Sequence, residues 1–421
     1  MNRGTSERGA TAIQMLVILV PVLFGFIGFA IDLGMLYSVK GELKAAANSM
    51  ALAAAQRLIG TDTATGAATA AAQLTIENGT GFGNRYDFNG RAIGQTTGSA
   101  VSTVSDPTYY GTVQDAVTTP STGAGGVTGS LAKHVRISIT GQRPLLFWSF
   151  LPVVADRNVA VLATAVAGIS APLCVACGIE PFAVAAISQS DTTNFGLTPG
   201  TKYSFLYLCS GTPTPAILAP GTQTLNYVLL NRFDQNTSVF PDEASQAFRD
   251  GAGGLPGNTV SAQACFTINT TELIWANAAV RMCSANQVAP VVTEALCGLD
   301  IRFETSTPTV CQQITGVDIL ATVYQPDTDT NDYDTYTDYT GDGRRIITIP
   351  IVDTVSATAS MNVLGFRQFL VSPSLGSSNI NPADSYGRFV AMYIGSVAPV
   401  KQGRFDGCQQ SSGPGKVVLH Q

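Results

Sequence analysis

Charge is scarce in this chain: 12% of its 421 residues are Asp, Glu, Lys or Arg, about half the share usual in soluble domains. There are 23 basic and 29 acidic residues and no basic block, so non-specific nucleic-acid binding is excluded. Histidine is scarcer still. His134 and His420 are the only two, which removes most general-base and zinc-ligand chemistry. No GxGxxG, P-loop, GxSxG or HExxH motif occurs. Nor is there a repeat of the period that marks solenoids and propellers. The Asp/Glu pairs nominate no glycosidase without geometry. No small-molecule substrate is indicated, and catalysis starts as the weaker hypothesis. The 45% hydrophobic content excludes a disordered tail protein and suffices for two folded units or one large one.

What is present is concentrated at the N-terminus. Ala10 through Ile31 is a run of 22 residues without a formal charge. As a helix it is roughly 33 Å long, enough for a ~30 Å hydrocarbon core. Gln14 and Pro21 are its awkward members, Pro21 as a predicted kink. A cleavable secretory signal is the rival reading, but its apolar region would be too long and no small-x-small site follows before Asp32. Residues 1–9 carry a net charge of about +2, while Asp32, Lys40, Glu42 and Lys44 cancel. The positive-inside rule then puts the N-terminus in the cytoplasm and the bulk of the chain outside it. Beyond the run, Leu36, Val39, Leu43, Ala46, Ala47, Met50 and Ala54 recur at helical steps, so the helix is predicted to continue to about Leu58 and stop at Gly60. A single anchor with a helical stalk fits the same composition.

These residues resemble a family. Arg8-Gly9-Ala10 leads the run, Pro21 lies within it, Ala30-Ile31-Asp32-Leu33-Gly34-Met35-Leu36-Tyr37 closes it, and Leu43-Lys44-Ala45-Ala46-Ala47-Asn48 leads into Met50–Gln56. Over residues 7–60 this is similar to the TadE/TadG-like proteins of tight-adherence (Flp, type IVc) pilus systems, with Asn48 where the family usually has aspartate. Looser likeness extends over Val135–Ala167 and Arg345–Arg388. The resemblance implies a bacterial inner-membrane protein with its bulk periplasmic or extracellular. Its implied partners are membrane lipid, other pilus or pseudopilin subunits, and the assembly machinery. Prepilin-peptidase processing would fall between Gly9 and Ala10, but the fifth residue after the cut is Gln14 rather than glutamate. TadG-type members commonly lack that glutamate and act as assembly factors. A von Willebrand A metal site is not carried over, because its Asp-x-Ser-x-Ser pentad is missing. A membrane-tethered adhesin or glycan-binding protein outside any pilus system is the alternative.

The predicted class is α+β: a long membrane-spanning stem, a small pilin-like α+β head, then a disulfide-stapled β-rich domain. The expected divisions are a leader at 1–9, a transmembrane helix at 10–31, a stem extension at 32–60, a head at 61–170 and an exported domain at 171–421. Ala67–Asn78 reads as a short helix ended by Gly79, and 92–130 as loop or irregular strand. Val135, Ile137 and Ile139 alternate with polar residues as a half-buried strand, and Asn158–Ala167 reads as another. Leu145–Leu151 is a short apolar run. Further strands are expected at Tyr203–Cys209, Leu225–Leu230, Ile346–Val352, Val363–Val371 and Arg388–Gly395. Pro350 would set its strand at an edge or bulge. Glu272–Met282 is the helix candidate of the second half.

All eight cysteines lie in that half: Cys174, Cys177, Cys209, Cys265, Cys283, Cys297, Cys311 and Cys408. An even count on an exported domain favours structural disulfides, of unknown connectivity. Cys174-Val-Ala-Cys177 also suggests a redox pair or a zinc knuckle. Gly178 and Pro181 spoil the helix a redox pair would open, and no second ligand pair exists. Six aspartates fall between Asp327 and Asp342. Against a calcium loop, Asp327, Asp329 and Asn331 take alternate ligand positions, Tyr333 would offer its carbonyl and Asp338 a short final arm. The required glycine is missing, so Ca2+ in another geometry and a solvated acidic turn both fit.

Overall fold

A computed structural model of the chain describes residues 7–76, 101–118, 126–147, 158–180, 182–208, 223–230, 265–272, 290–302, 311, 326–356, 359–373, 379–384, 386–395, 397–405 and 407–420. It opens with helix α1 (Glu7–Ala55), 49 residues that run through Pro21. The chain then turns at Gly60, whose φ of 83° a Cβ would disfavour. Helix α2 (Ala64–Ile76) follows, starting three residues earlier than expected.

The head is a sheet backed by the upper stem. Strands β1 (Val101–Val104), β2 (Thr108–Tyr110), β3 (His134–Pro144) and β4 (Asn158–Ile169) are antiparallel neighbours, with β1 and β2 both on β3. The expectation of loop or irregular strand over 92–130 covers β1 and β2 but misses helix α3 (Val113–Thr118). Polar, turn-rich strands of three and four residues hide a period-2 signal. Val135, Ile137 and Ile139 on β3 and Ala163, Ala165 and Ala167 on β4 face Leu43, Ala46, Ala47, Met50, Ala51 and Ala54 of α1. Alanine meets alanine, so helix and sheet approach closely.

The second unit adds β5 (Val175–Cys177), β6 (Phe182–Ala185), β7 (Lys202–Tyr207), β8 (Gln223–Leu229), β9 (Cys265–Thr267), β10 (Thr271–Glu272), helix α4 (Pro290–Asp300), β11 (Ile346–Val352), β12 (Met361–Val371), β13 (Phe389–Tyr393), β14 (Gln402–Arg404) and β15 (Val417–Leu419). Six of these strands run β12-β11-β6-β8-β7-β13, and β13 pairs back onto β12, so the sheet closes into a barrel with β10 appended. Closure removes the edges that an open sheet must protect. Alternate residues fill the interior: Tyr203, Phe205 and Tyr207; Ile347, Ile349 and Ile351; Phe389, Ala391 and Tyr393. Phe205 stacks on Phe389 at 4.5 Å. Val292, Ala295, Leu296 and Leu299 of α4 join this core.

The structure refines three expectations. Glu272 lies in a strand, the rest of Glu272–Met282 falls outside the described residues, and the helix is α4. Pro350 is not at an edge: β11 lies between β12 and β6. Thr348 turns its N–H and C=O toward Glu180, so by alternation the missing N–H of Pro350 faces the β6 side, off the β12 ladder. The ladder with β12 slips at Ile351/Val352, the expected bulge. Finally, β15 returns from the C-terminus to pair with β4, so the head sheet takes its last strand from beyond residue 170.

Disulfides staple the periphery. Cys174 pairs with Cys408 and Cys177 with Cys265, so the CxxC splits between two bridges and is neither a redox pair nor a zinc knuckle. These two bridges tie β5 and β9 of the three-stranded sheet β14-β5-β9 and the C-terminal segment together. Cys297–Cys311 anchors the end of α4. Cys209 and Cys283 lie outside the described residues.

Candidate functional site

The stem presents two surfaces. From Ile13 to Ile31 its large apolar side chains stand 38–74% exposed. Gln14, also exposed, is the polar residue among them. Among the described residues, this is the one helix long and apolar enough to cross a membrane. Exposing Leu16, Phe24 and Phe26 to water would cost about 1.5–3 kcal/mol each relative to burial, so the surface calls for lipid or apolar partners. Gly9 and Ala10 fall in the first helical turn. From Val39 upward the same helix buries one stripe against the sheet.

The stripe begins lower than its alanines. Gly28 is buried, and Asp32, one turn on, is 3% exposed. The Asp32 carboxylate accepts the backbone N–H groups of Leu146 (2.9 Å) and Phe147 (3.1 Å), just past the end of β3. The Phe147 side chain fills the space beside Gly28: a Cβ there would meet it at 2.8 Å. Arg143 donates to the Met35 sulfur at 3.5 Å. Asn48, half-buried, has a side-chain oxygen without a hydrogen-bond partner among the described residues.

At its other end the stem meets the acidic loop. Tyr336 donates its hydroxyl to the Ile59 carbonyl at 2.5 Å, and Asp62 N–H donates to the Thr337 carbonyl at 2.9 Å. Ile59 packs with Tyr336, Tyr339, Leu370, Met392, Ile394 and Ala398 on the barrel wall. Arg57 reaches the Asp342 carbonyl at 3.3 Å. Beside this seam a cleft of about 570 Å³ is lined by Arg57, Arg302, Arg344, Lys401, Glu180 and Asp342. Arg302 and Glu180 there form a buried ion pair. Burial pushes the Glu180 carboxyl up while Arg302 and the Thr348 N–H oppose it.

The loop is held from within. Asp329 accepts the Tyr333 hydroxyl (2.7 Å), the Asn331 N–H (2.9 Å) and both the N–H (2.9 Å) and hydroxyl (2.7 Å) of Thr340. Burial pushes its carboxyl up, but these donors outweigh it and hold it at about 2. Asp327 accepts the Tyr339 hydroxyl and the Asp329 (2.9 Å) and Arg345 (3.2 Å) N–H groups. Burial first, then the Asp327 charge, push the Tyr339 phenol up, so it stays a donor. Arg345, fully buried, donates to the Asp329, Asn331 and Val371 carbonyls at 2.8–3.0 Å. Asp327 and Asp329 thus converge on protein donors, whereas Asp338 is exposed. Tyr333 engages through its hydroxyl. No group of three or more His, Cys, Asp or Glu side chains able to hold a metal occurs among the described residues. Arg345 and Tyr336 escaped sequence reading; two arginines directly after six aspartates were the available signal.

Residues 9–57 match the model of the family described as Putative Flp pilus-assembly TadE/G-like. The match begins at the proposed processing site, covers both surfaces of the stem and ends two residues past α1. No curated protein and no solved structure matches the chain. The stem is therefore of the kind associated with Flp pilus assembly, and the barrel unit stands outside that match.

Proposed function

We propose that this protein is a single-pass, membrane-anchored TadG-like assembly factor or minor pilin-like component of an Flp pilus system, working by protein–protein contact and not by turnover. One observation carries the reading: a continuous helix, matched to the family over 9–57, whose lower half exposes large apolar residues and whose upper half carries a folded head. The N-terminus faces the cytoplasm and the bulk lies outside it, a side on which the disulfides persist. Head (61–170 plus β15) and barrel unit act as one exported body. The acidic loop joins them to the stem, with Asp327 and Asp329 committed to protein donors in place of Ca2+. Gln14 cannot neutralise a neighbour's N-terminal amine in lipid as glutamate would, which favours a static anchor over a filament subunit.

Deletion in the native host should abolish surface pili. The full chain should restore them, whereas a chain without 12–31 should not; normal piliation in the deletion strain would overturn the reading. Intact mass of the membrane fraction, with and without the prepilin peptidase, then separates the two roles. A start at Ala10 that depends on the peptidase means a subunit able to enter a filament. A start at Met1 or Asn2 means an anchor.

A further inference from the structure

The buried stripe of α1 starts inside its apolar run. Gly28 lies three residues, about 4.5 Å, below Ile31, yet it is covered by Phe147 from the far end of β3. The head therefore reaches down past the end of the run. What it brings there is apolar and about half exposed, Leu146 at 54% and Phe147 at 48%. The polar cost is met locally, because the two leading N–H groups at this tip close on the Asp32 carboxylate. An unpaired carboxylate or free N–H at this level would be expensive in lipid. Above the tip the surface turns polar and amphipathic. Arg143 sits beside Met35, and Tyr37 is 67% exposed, a tyrosine at the level where aromatic belts form.

We infer that the tip at Leu146 and Phe147 is a second membrane contact, dipping into the outward leaflet beside the stem, with Asp32 as its polar latch. Its partner is the acyl and glycerol region of a phospholipid bilayer. The inference rests on the membrane-anchor reading of α1 and adds that the head is docked on the bilayer instead of standing off on a free stalk. Two contacts fix the tilt and rotation of the exported body, which one helix leaves free.

The test places a photoreactive side chain in the full-length protein in nanodiscs of phosphatidylethanolamine and phosphatidylglycerol. Three positions are compared: Leu146→p-benzoylphenylalanine, Leu16→p-benzoylphenylalanine in the lower stem, and Leu131→p-benzoylphenylalanine. Leu131 is 67% exposed but belongs to a short turn that packs beside Asp62, beyond the roughly 35 Å of helix above Asp32. Mass spectrometry should find lipid adducts at 146 within about three-fold of the yield at 16, and at least ten-fold less at 131. Adduct at 16 but not at 146 overturns the dip and leaves the anchor standing. A protein adduct at 146 also overturns it, since a partner then covers the tip. Absence of adduct at 16 overturns the anchor and the dip with it. Gly28→Leu supplies a second variant: it pushes Phe147 away and should cut the adduct at 146 at least five-fold, leaving that at 16 unchanged. Intact disulfide mass confirms that each variant has folded, and an unchanged adduct at 146 in folded Gly28→Leu counts against the proposal.

Discussion

The two halves of α1 use one secondary structure for opposite ends. Below Asp32 the helix carries Ile, Leu, Val and Phe that point outward, with Gly28 as its buried member between 12 and 31. Above it, Ala46, Ala47, Ala51, Ala54 and Ala55 are all 0% exposed. Size explains the difference. Bulky side chains give lipid or an apolar partner a broad surface, whereas methyl groups let a helix lie close on a sheet whose facing strand is also alanine. Helical periodicity alone does not distinguish them.

The comparison breaks most severely with a charge below. Leu19→Asp, near the middle of the run, should cost about 3 kcal/mol of membrane insertion. Carbonate extraction would find it released, while thermal melting of the head and barrel stays put. Arg345→Met, at the top of the stem, should do the reverse. It strips three carbonyls, two of them in buried bonds, of their donor and should cost about 3 kcal/mol of stability, read as a lowered denaturant midpoint with membrane retention intact. Ala51→Leu should follow at about 1–3 kcal/mol, because the close-packed stripe cannot absorb three more carbons; the same residue gained in the lower stem, at Ala30, should change melting little. Tyr336→Phe should cost about 1 kcal/mol by removing the hydroxyl from Ile59, seen as faster proteolysis near residues 326–345 under native conditions.

A pH-dependent effect concerns the two histidines, which meet edge to face at 5.1 Å where β15 closes the head. Burial first, then His420 and Lys133, push His134 from an ordinary 6.5 down to about 4. The unfolded chain therefore binds this proton more readily, and stability should fall as pH drops from about 6.5 to about 4, then flatten for this group. Asp329, held at about 2 against an ordinary 3.8, acts in the window below. His134→Phe should reduce the slope of melting temperature between pH 6.5 and 4, leaving the part due to His420, which burial also pushes down, and leave the acid limb intact. An unchanged slope would assign the upper window to other groups.

Much of this was legible in the residues, unevenly. The stem, β11 and β12 are long and regularly patterned, and the structure puts them within two or three residues of their expected ends. β1, β2 and α3 are too short to set up a period. Glu272–Met282 has the more helical pattern, yet its first residue pairs in β10 and the helix is α4. The CxxC carried no signal of its split, because Cys408 and Cys265 lie 234 and 88 residues away from their partners. The aspartates of the loop stand out in the sequence, but their partners Tyr339, Thr340 and Arg345 do not, since what a carboxylate accepts depends on how the loop curls.

The long apolar helix, the α+β class and the cysteine-bearing half follow from composition and spacing along the chain alone. Only the tertiary structure decided the rest. The second sheet closes as a barrel, the C-terminus completes the head, the acidic loop grips Ile59, and Phe147 folds back to Gly28. Each joins residues far apart in sequence, and such contacts are selected by the burial and hydrogen bonding of the assembled whole, which no local pattern encodes.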